Sequence, residues 1–107
     1  MNFLQQNKRS IRAKFFKALA DPIRLEIIDY IDKEEKCVCD IVELLNISQP
    51  LVSRHLKVLR ESGIVIDRRE GTKKMYRLSN EKILDIIKLL DQNLLEDLTQ
   101  KILLEAL

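Results

Sequence analysis

A short helix, a tight break, a second helix rich in basic residues and a basic ribbon follow one another in the middle of this chain. The pattern predicts helices over residues 40–45 and 49–62, separated by a turn at residues 46–48. Residues 65–69 and 74–78 are predicted to pair as a two-stranded hairpin. A helix held against a supporting helix, with a charged ribbon beside it, is the geometry that reads duplex DNA. We therefore predict double-stranded DNA as a partner.

Length and composition restrict the class of protein. With 107 residues, of which 46% are hydrophobic and 34% charged, we expect one helix-rich domain over residues 1–107. No run approaches the ~18 apolar residues of a membrane span, and the N-terminus lacks the apolar segment of a signal peptide. The expectation is a cytoplasmic protein without a membrane partner.

The sequence contains two cysteines, Cys37 and Cys39, with one residue between them. A pair at this spacing is not expected to form a relaxed disulfide that staples a fold. A secreted disulfide scaffold is therefore excluded.

Charge is distributed unevenly along the chain. Residues 54–77 carry eight basic and three acidic side chains, whereas residues 81–107 carry three basic and six acidic ones. The positive excess coincides with the second helix and the ribbon, which favours a polyanionic partner for that region.

Helix boundaries outside this region are marked by capping residues. A first helix is expected over residues 3–19, and Asp21 followed by Pro22 indicates the start of another that runs to about Asp32. Gly63 and Gly71 fall where backbone freedom is needed, after the second helix of the motif and in the hairpin turn.

The C-terminal segment predicts one last helix, capped by Ser79, with an apolar face wider than a single surface helix needs. Phe3, Leu4 and Ile11 repeat this excess near the other terminus. Both segments are predicted to be buried against a second copy of the chain, as a homodimer. The apolar side chains of the C-terminal segment are Ile83, Ile86, Ile87, Leu89, Leu90, Leu94, Leu95, Leu98 and Ile102.

The helix over residues 49–62 has two faces. Val52, Leu56 and Leu59 share the face expected to pack on the domain, which leaves the opposite face free to enter a DNA groove. On that side Arg54 is suited to guanine and Gln49 to adenine, while the remaining basic side chains are suited to phosphates. The candidate DNA-binding residues are Ser48, Gln49, Ser53, Arg54, Lys57, Arg60, Arg68, Arg69, Lys73 and Lys74.

His55 is the only histidine and lies on the packing face of the same helix. No carboxylate or serine stands at a supporting spacing, so we interpret it as a core histidine with a backbone partner rather than a catalytic or metal-binding residue.

Three segments together resemble the ArsR/SmtB family of metal- and metalloid-responsive repressors. They are CVCDIVELLNISQPLVSRHLKVLRESGIV at residues 37–65, FKALADPIRL at residues 16–25 and MYRL at residues 75–78. The resemblance covers about residues 14–90. It implies a mainly α winged helix-turn-helix protein with a small β-hairpin, paired through its terminal helices. Such a homodimer binds an operator and leaves it when an inducer binds.

The resemblance also implies an inducer site, since the family's Cys-Val-Cys-Asp pattern is matched by Cys37 and Cys39. Several thiol-sensing members carry a third cysteine that this chain lacks. The family's second metal site, on the last helix, needs histidines, and residues 81–107 contain none.

Two residues apart on a continuous helix, the thiols would point about 200° from each other and could not hold one ion. Cys37 must therefore precede or begin its helix, or ion binding must distort that turn. All-sulfur coordination favours soft inducers, As(III), Sb(III) or Cd(II), and no obligatory cofactor is implied. An oxidation-sensitive pair and two plain packing residues remain open alternatives.

Two rival functions follow from the same residues. An enzyme would need a nucleophile with a base, paired carboxylates or a phosphate-binding loop, and the sequence shows none of these. A winged-helix protein-interaction module would be expected to expose apolar residues where this chain has Ser53, Arg54 and Lys57. We therefore predict a DNA-binding repressor rather than an enzyme.

Overall fold

Six helices and three short strands make up residues 2–107, the part of the chain that this computed structural model describes. The structure confirms the predicted helix-turn-helix, formed by the fourth helix and the one before it, and the predicted ribbon, called the wing below. In chain order the elements are α1 (Phe3–Leu19), α2 (Pro22–Ile31), β1 (Lys36–Cys37), α3 (Val38–Leu45), α4 (Gln49–Glu61), β2 (Val65–Glu70), β3 (Lys73–Leu78), α5 (Lys82–Lys88) and α6 (Gln92–Ala106).

Side-chain caps begin the helices around the motif. The Oδ1 atom of Asp21 accepts hydrogen bonds from the backbone N–H groups of Ile23 at 2.8 Å and Arg24 at 3.2 Å. Pro22 occupies the first helical position, where no N–H donor is needed. Ser48 caps α4 by accepting a hydrogen bond from its first turn. These predicted caps are confirmed.

Backbone conformations that favour glycine or asparagine mark the ends of α3, α4 and β2. Asn46 ends α3 with a φ of 53°, in the left-handed region that asparagine tolerates better than most residues. Gly63 follows α4 at 79° and Gly71 lies in the wing turn at 62°, as expected for both. The angle between α3 and α4 is therefore set by a tight turn.

The sheet has three strands rather than the predicted two. Its antiparallel order is β1-β3-β2, because Lys36 pairs with Tyr76 and Cys37 with Met75. A strand of two residues has no side-chain periodicity, so the sequence pattern could not reveal it. The consequence is that Cys37 is bonded through its backbone to the base of the wing.

The hydrophobic core fixes the position of α4. Val52, Leu56 and Leu59 are fully buried, as predicted for that face. Burial of one such aliphatic side chain contributes roughly 1.5–3 kcal/mol to the free energy of unfolding. The fully buried aliphatic side chains of α2, α3 and the segment after α4 that join them are Ile27, Ile28, Ile31, Ile41 and Ile64.

The predicted single C-terminal helix is wrong, because the structure has α5 and α6 with a break between them. Asp91 caps α6 by accepting a hydrogen bond from its first turn. Ser79 is not a helix cap, since its hydroxyl donates to the carbonyl of Gly63. Asn80 instead accepts a hydrogen bond from Lys82 N–H at 2.9 Å. The row of apolar side chains continues across the break, so the helical periodicity of the sequence did not reveal the break.

The terminal helices extend away from the core. The radius of gyration is 16.1 Å, against about 13 Å for a compact chain of this length. Helix α6 has no buried residue, although it carries a row of leucines. Among the helices over residues 2–107, none combines the length and apolar character needed to cross a membrane.

Replacing Asp21 with alanine removes the acceptor at the start of α2, so the free energy of unfolding should fall by about 1 kcal/mol. Burial raises the pKa of Asp21, but the N–H groups of Arg24 and Ile23 and the Arg24 charge outweigh it, and the net pKa lies below the ordinary value. The stabilisation is therefore complete above the unfolded-state pKa of about 4 and is lost as the pH falls through the lower folded-state pKa.

Urea unfolding of the wild type and Asp21→Ala at neutral and acid pH, at one protein concentration, measures this difference. Asp29→Ala, on the exposed side of the same helix, is the matched control and should leave stability nearly unchanged. Equal losses in the two variants, or a loss at Asp21 that does not shrink in acid, would contradict the assignment.

Candidate nucleic-acid interface and thiol site

The face of α4 opposite the core is polar and basic. Arg54 and Lys57 are exposed, and Ser53 is half-buried beside them. The side-chain amide of Gln49 donates a hydrogen bond to the Ser53 hydroxyl at 2.8 Å. An exposed face of this composition offers the donors that base edges and phosphates accept, and none of the apolar anchors of a protein-binding face.

Asp67 of the wing binds two of the candidate cations. Its carboxylate lies 3.7 Å from Arg60 of α4 and 3.2 Å from Lys74 of β3. The pair with Arg60 bridges the recognition helix α4 and the wing. Arg60 and Lys74 therefore act within the chain as well as facing solvent.

Arg68 is engaged by Glu35, which precedes β1. Its guanidinium donates to the two carboxylate oxygens of Glu35 at 2.8 and 2.6 Å and lies 3.7 Å from Glu70. The hydrogen bond from Arg68 holds the pKa of Glu35 below its ordinary value. Sequence reasoning missed this pair, since 33 positions separate its members. Arg68 is thus committed to the scaffold of the wing.

Three of the predicted DNA-binding cations carry no ion pair within residues 2–107. Arg54 is exposed on α4, and Arg69 and Lys73 are exposed at the end of the wing. An unpaired cation loses no internal partner when it meets a phosphate or a base. These three side chains are the ones most available to an external anion.

Cys37 belongs to β1 and to the start of α3 at once. Its Sγ accepts a hydrogen bond from Asp40 N–H at 3.2 Å, and the Asp40 carboxylate accepts one from Cys37 N–H at 3.2 Å. The structure therefore confirms that Cys37 lies before the first helical residue. Helix α3 starts at Val38, two residues earlier than predicted. Cys37 is 2% exposed, whereas Cys39 is exposed.

A disulfide joins Cys37 and Cys39 in the structure, with 5.3 Å between their Cα atoms. The two sulfur atoms can meet because Cys37 has an extended backbone outside α3 and Cys39 lies in its first turn. The expectation was that a pair at this spacing forms no relaxed disulfide that staples the fold, and this bond does not staple it. The bond closes a loop of one intervening residue and connects no distant parts of the fold.

The reduced pair could hold a soft metal ion or metalloid. The sulfur atoms of Cys37 and Cys39 and a carboxylate oxygen of Asp40 all lie within 4.8 Å of one another. Once reduced, two neighbouring thiolates suit one soft ion, while the carboxylate is a harder ligand already bound to the backbone of Cys37. The donor set therefore supplies two sulfur ligands.

One open cleft of about 570 Å³ brings the thiol site and the candidate DNA-binding residues together. The sequence predicted both sets of residues but did not predict that they share a surface. This surface is called the thiol–wing cleft below. Its lining side chains are Cys37, Val38, Cys39, Gln49, Ser53, Lys57, Arg60, Arg69, Thr72, Lys73, Lys74 and Tyr76.

His55 is half-buried and its partner is a side chain, which corrects the expected backbone contact. Its Nδ1 atom lies 3.2 Å from an Nη atom of Arg24. Since arginine only donates, Nδ1 is the acceptor in this contact. Arg24 also donates to the carbonyls of Ala18 at 2.6 Å and Lys17 at 3.5 Å. The histidine therefore connects α4 to the junction of α1 and α2.

The fold and this interface define a winged helix-turn-helix DNA-binding protein. A sequence model of the family described as "Bacterial regulatory protein, arsR family" matches residues 21–67. The chain is 43% identical over 82 residues to the arsenical resistance operon repressor of Staphylococcus xylosus, covering 71% of this chain and 79% of that protein. An HTH-type transcriptional regulator of Methanocaldococcus jannaschii is 41% identical over 81 residues, covering 75% and 91%. The chain belongs to the arsR family of bacterial regulatory proteins.

A solved structure gives the same result. The homodimeric winged helix-turn-helix DNA-binding domain from Mycobacterium bovis superposes with a TM-score of 0.75 at 28% identity, covering 91% of this chain and 88% of that domain. The resemblance noted in the sequence, the winged helix and the role as a DNA-binding transcriptional regulator rather than an enzyme are therefore confirmed.

Proposed function

We propose that the chain is a repressor that binds a palindromic operator as a homodimer and leaves it when a thiophilic metal or metalloid binds Cys37 and Cys39. The observation that carries this proposal is the thiol–wing cleft, where both cysteines line the same surface as Gln49, Ser53 and Lys57. A ligand at the thiols is thereby adjacent to the face that meets DNA. The Staphylococcus relative is itself named for arsenical resistance.

The contacts with DNA divide by the position of the cation. Arg54 is exposed on the outward face of α4, has no ion pair within residues 2–107, and is assigned to a base edge in the major groove. Arg69 and Lys73 stand at the end of the wing and are assigned to phosphates. Ser48, Gln49, Ser53 and Lys57 complete the helix surface. Arg60, Arg68 and Lys74 contribute positive potential while holding the wing in place.

Charge removal should separate the two kinds of contact. Lys73→Ala should weaken binding to all DNA sequences about equally and lower the salt slope by roughly one unit. Arg54→Ala should cost about 1–3 kcal/mol on the operator and relax the base preference. Fluorescence anisotropy with operator and random duplexes at two salt concentrations measures both. Lys88→Ala on α5 is the charge-matched control. Equal losses on operator and random DNA for Arg54→Ala would remove its base-reading role.

The homodimer is inferred from unburied apolar surface on α1, on α6 and in the segment between α5 and α6. A helix without tertiary packing is marginal in water, yet α6 spans 15 residues and buries none of them. A second copy that covers this surface would bury it and support the helix. The exposed apolar side chains that carry the inference are Phe3, Leu4, Ile11, Phe16, Leu89, Leu90, Leu94, Leu95, Leu98, Ile102, Leu103 and Leu104.

Leu98→Glu puts a charge in the middle of the proposed interface and should convert the dimer into a monomer, with loss of operator affinity. Gln100→Glu, an exposed polar position on the same helix, adds the same charge and should leave the dimer intact. Sedimentation equilibrium measures the mass, and footprinting should show two half-sites about one DNA turn apart. A wild-type monomer, or a footprint on one half-site, would contradict the proposal.

Induction is assigned to the junction between β1 and α3. Cys37 supplies a sulfur ligand while its side chain caps α3 and its backbone pairs with Met75 in β3. Recruiting that sulfur would pull on the residue that both caps α3 and pairs with β3. Because Glu35 next to β1 holds Arg68 of the wing, the change reaches both α3 and the wing. The population then shifts away from the DNA-binding shape.

Arsenite or Cd(II) added to the reduced protein should lower operator affinity by about 1–3 kcal/mol, and operator DNA should lower ion affinity by the same factor. Cys37→Ser and Cys39→Ser should each abolish the response while retaining ion-free DNA binding, since serine also caps a helix. Anisotropy titrations of the operator complex measure this. Equal release from the double cysteine variant would refute the assigned site.

The disulfide favours a second candidate, a repressor that responds to oxidation of the same pair. In the disulfide form Cys37 Sγ still accepts the hydrogen bond from Asp40 N–H, so oxidation would act by occupying both thiols at the junction and not by removing that cap. Comparison of operator affinity for the dithiol and disulfide forms without any ion distinguishes the two. A large difference favours redox control, and no difference leaves ion binding as the signal.

A further inference from the structure

The thiol–wing cleft places a pair of cysteines beside a group of cationic side chains. Cys37 and Cys39 form one wall, and Arg69, Lys73 and Lys57 are among five cations that line the rest. No acidic side chain is among the lining residues. The cleft volume of about 570 Å³ lies within the range of ~300–1,000 Å³ for small-molecule sites. Its walls suit a small anionic molecule that can also bind a thiophilic metal or metalloid.

The thiol pair is incomplete for trivalent arsenic. Arsenic(III) forms three bonds and prefers sulfur, whereas the chain offers two sulfurs at this place. The nearby Asp40 carboxylate is a harder donor and already accepts the hydrogen bond from Cys37 N–H. A third sulfur has to come from outside the chain, and the open cleft is the space from which it can approach.

We propose that the thiol–wing cleft binds a small carboxylate-bearing thiol, whose sulfur is the third ligand of arsenic and whose carboxylates pair with Arg69 and Lys73. The inference rests on the proposed thiol-based induction and names the form in which the inducer is bound. Arg69 and Lys73 suit this role because neither has an ion pair within residues 2–107. An occupant there also lies against Gln49 and Ser53, so it competes with DNA for the same surface.

The small thiol is the only reductant that arsenic binding requires. Two equivalents of the small thiol reduce the Cys37–Cys39 disulfide to two thiols and leave as their own disulfide. The two protein thiols and one further small thiol then replace the three hydroxides of arsenous acid. Three water molecules leave, and arsenic remains trivalent throughout.

The test is a titration of arsenite into full-length protein reduced with an uncharged phosphine, in the presence of mercaptosuccinate, thioglycerol or cysteamine. Thiolate-to-arsenic absorption measures the affinity, and native mass spectrometry measures the composition. In the wild type we expect mercaptosuccinate to give about tenfold tighter arsenite binding than cysteamine, the effect of roughly two exposed ion pairs. The expected mass corresponds to one arsenic and one small thiolate per chain.

Matched double variants separate the cleft from general charge. Arg69→Gln with Lys73→Gln should abolish the advantage of mercaptosuccinate over cysteamine. Any intrinsic difference between the two thiols is the same in the wild type and in the variant, so the comparison of the two proteins removes it. Lys82→Gln with Lys88→Gln removes the same charge from α5, outside the cleft, and should retain the advantage.

Two results would overturn the inference in distinguishable ways. Arsenite that binds equally with all three thiols, or a complex that contains arsenic but no small thiolate, would refute the third-ligand site and leave the proposed induction standing. No arsenite binding by the reduced chain with any thiol would refute both.

Discussion

The structure depends on the junction at Cys37, where a two-residue strand becomes a helix. The backbone of Cys37 pairs with Met75 in the wing, and its sulfur accepts the Asp40 N–H that opens α3. Helix α3 in turn packs through Ile41 into the core that holds α4. Cys37 is therefore joined to the wing through its backbone and to the supporting helix through its sulfur, and the supporting helix is joined to the recognition helix through the core.

The candidate DNA-binding cations form two groups, those that pair with acidic side chains of the fold and those exposed at the surface. Asp67 and Glu35 bind Arg60, Lys74 and Arg68, so these cations fix the wing against α4 and the segment before β1. Exposed pairs of this kind contribute little to stability individually, and their main effect is on geometry. Arg54, Arg69 and Lys73, which have no ion pair within residues 2–107, are exposed on the same elements. A count of charges along the sequence cannot separate these two roles, because the acidic partners are set by the fold.

The sequence predicted features that depend on neighbouring residues and missed those that depend on distant ones. Asp21 and Ser48 correctly predicted helix starts, and Gly63 a helix end, because capping depends on neighbouring residues. The buried face of α4 was predicted from helical periodicity. Strand β1 has no period to detect, and the bond between Arg24 and His55 joins residues 31 positions apart. The thiol–wing cleft requires β1, α4 and the wing together. It could not be seen until the three-stranded sheet was known.

Arg24 connects the helix that carries part of the proposed dimer surface to the recognition helix. Its guanidinium binds the carbonyls of Ala18 and Lys17 at the end of α1 and meets His55 on α4. Helix α1 carries part of the apolar surface assigned to the dimer, so a short polar bridge connects the interface to the recognition helix. In a two-fold dimer the separation of the two α4 helices sets the half-site spacing on DNA. The bridge therefore places the end of α1 and the recognition helix in one connected set of hydrogen bonds.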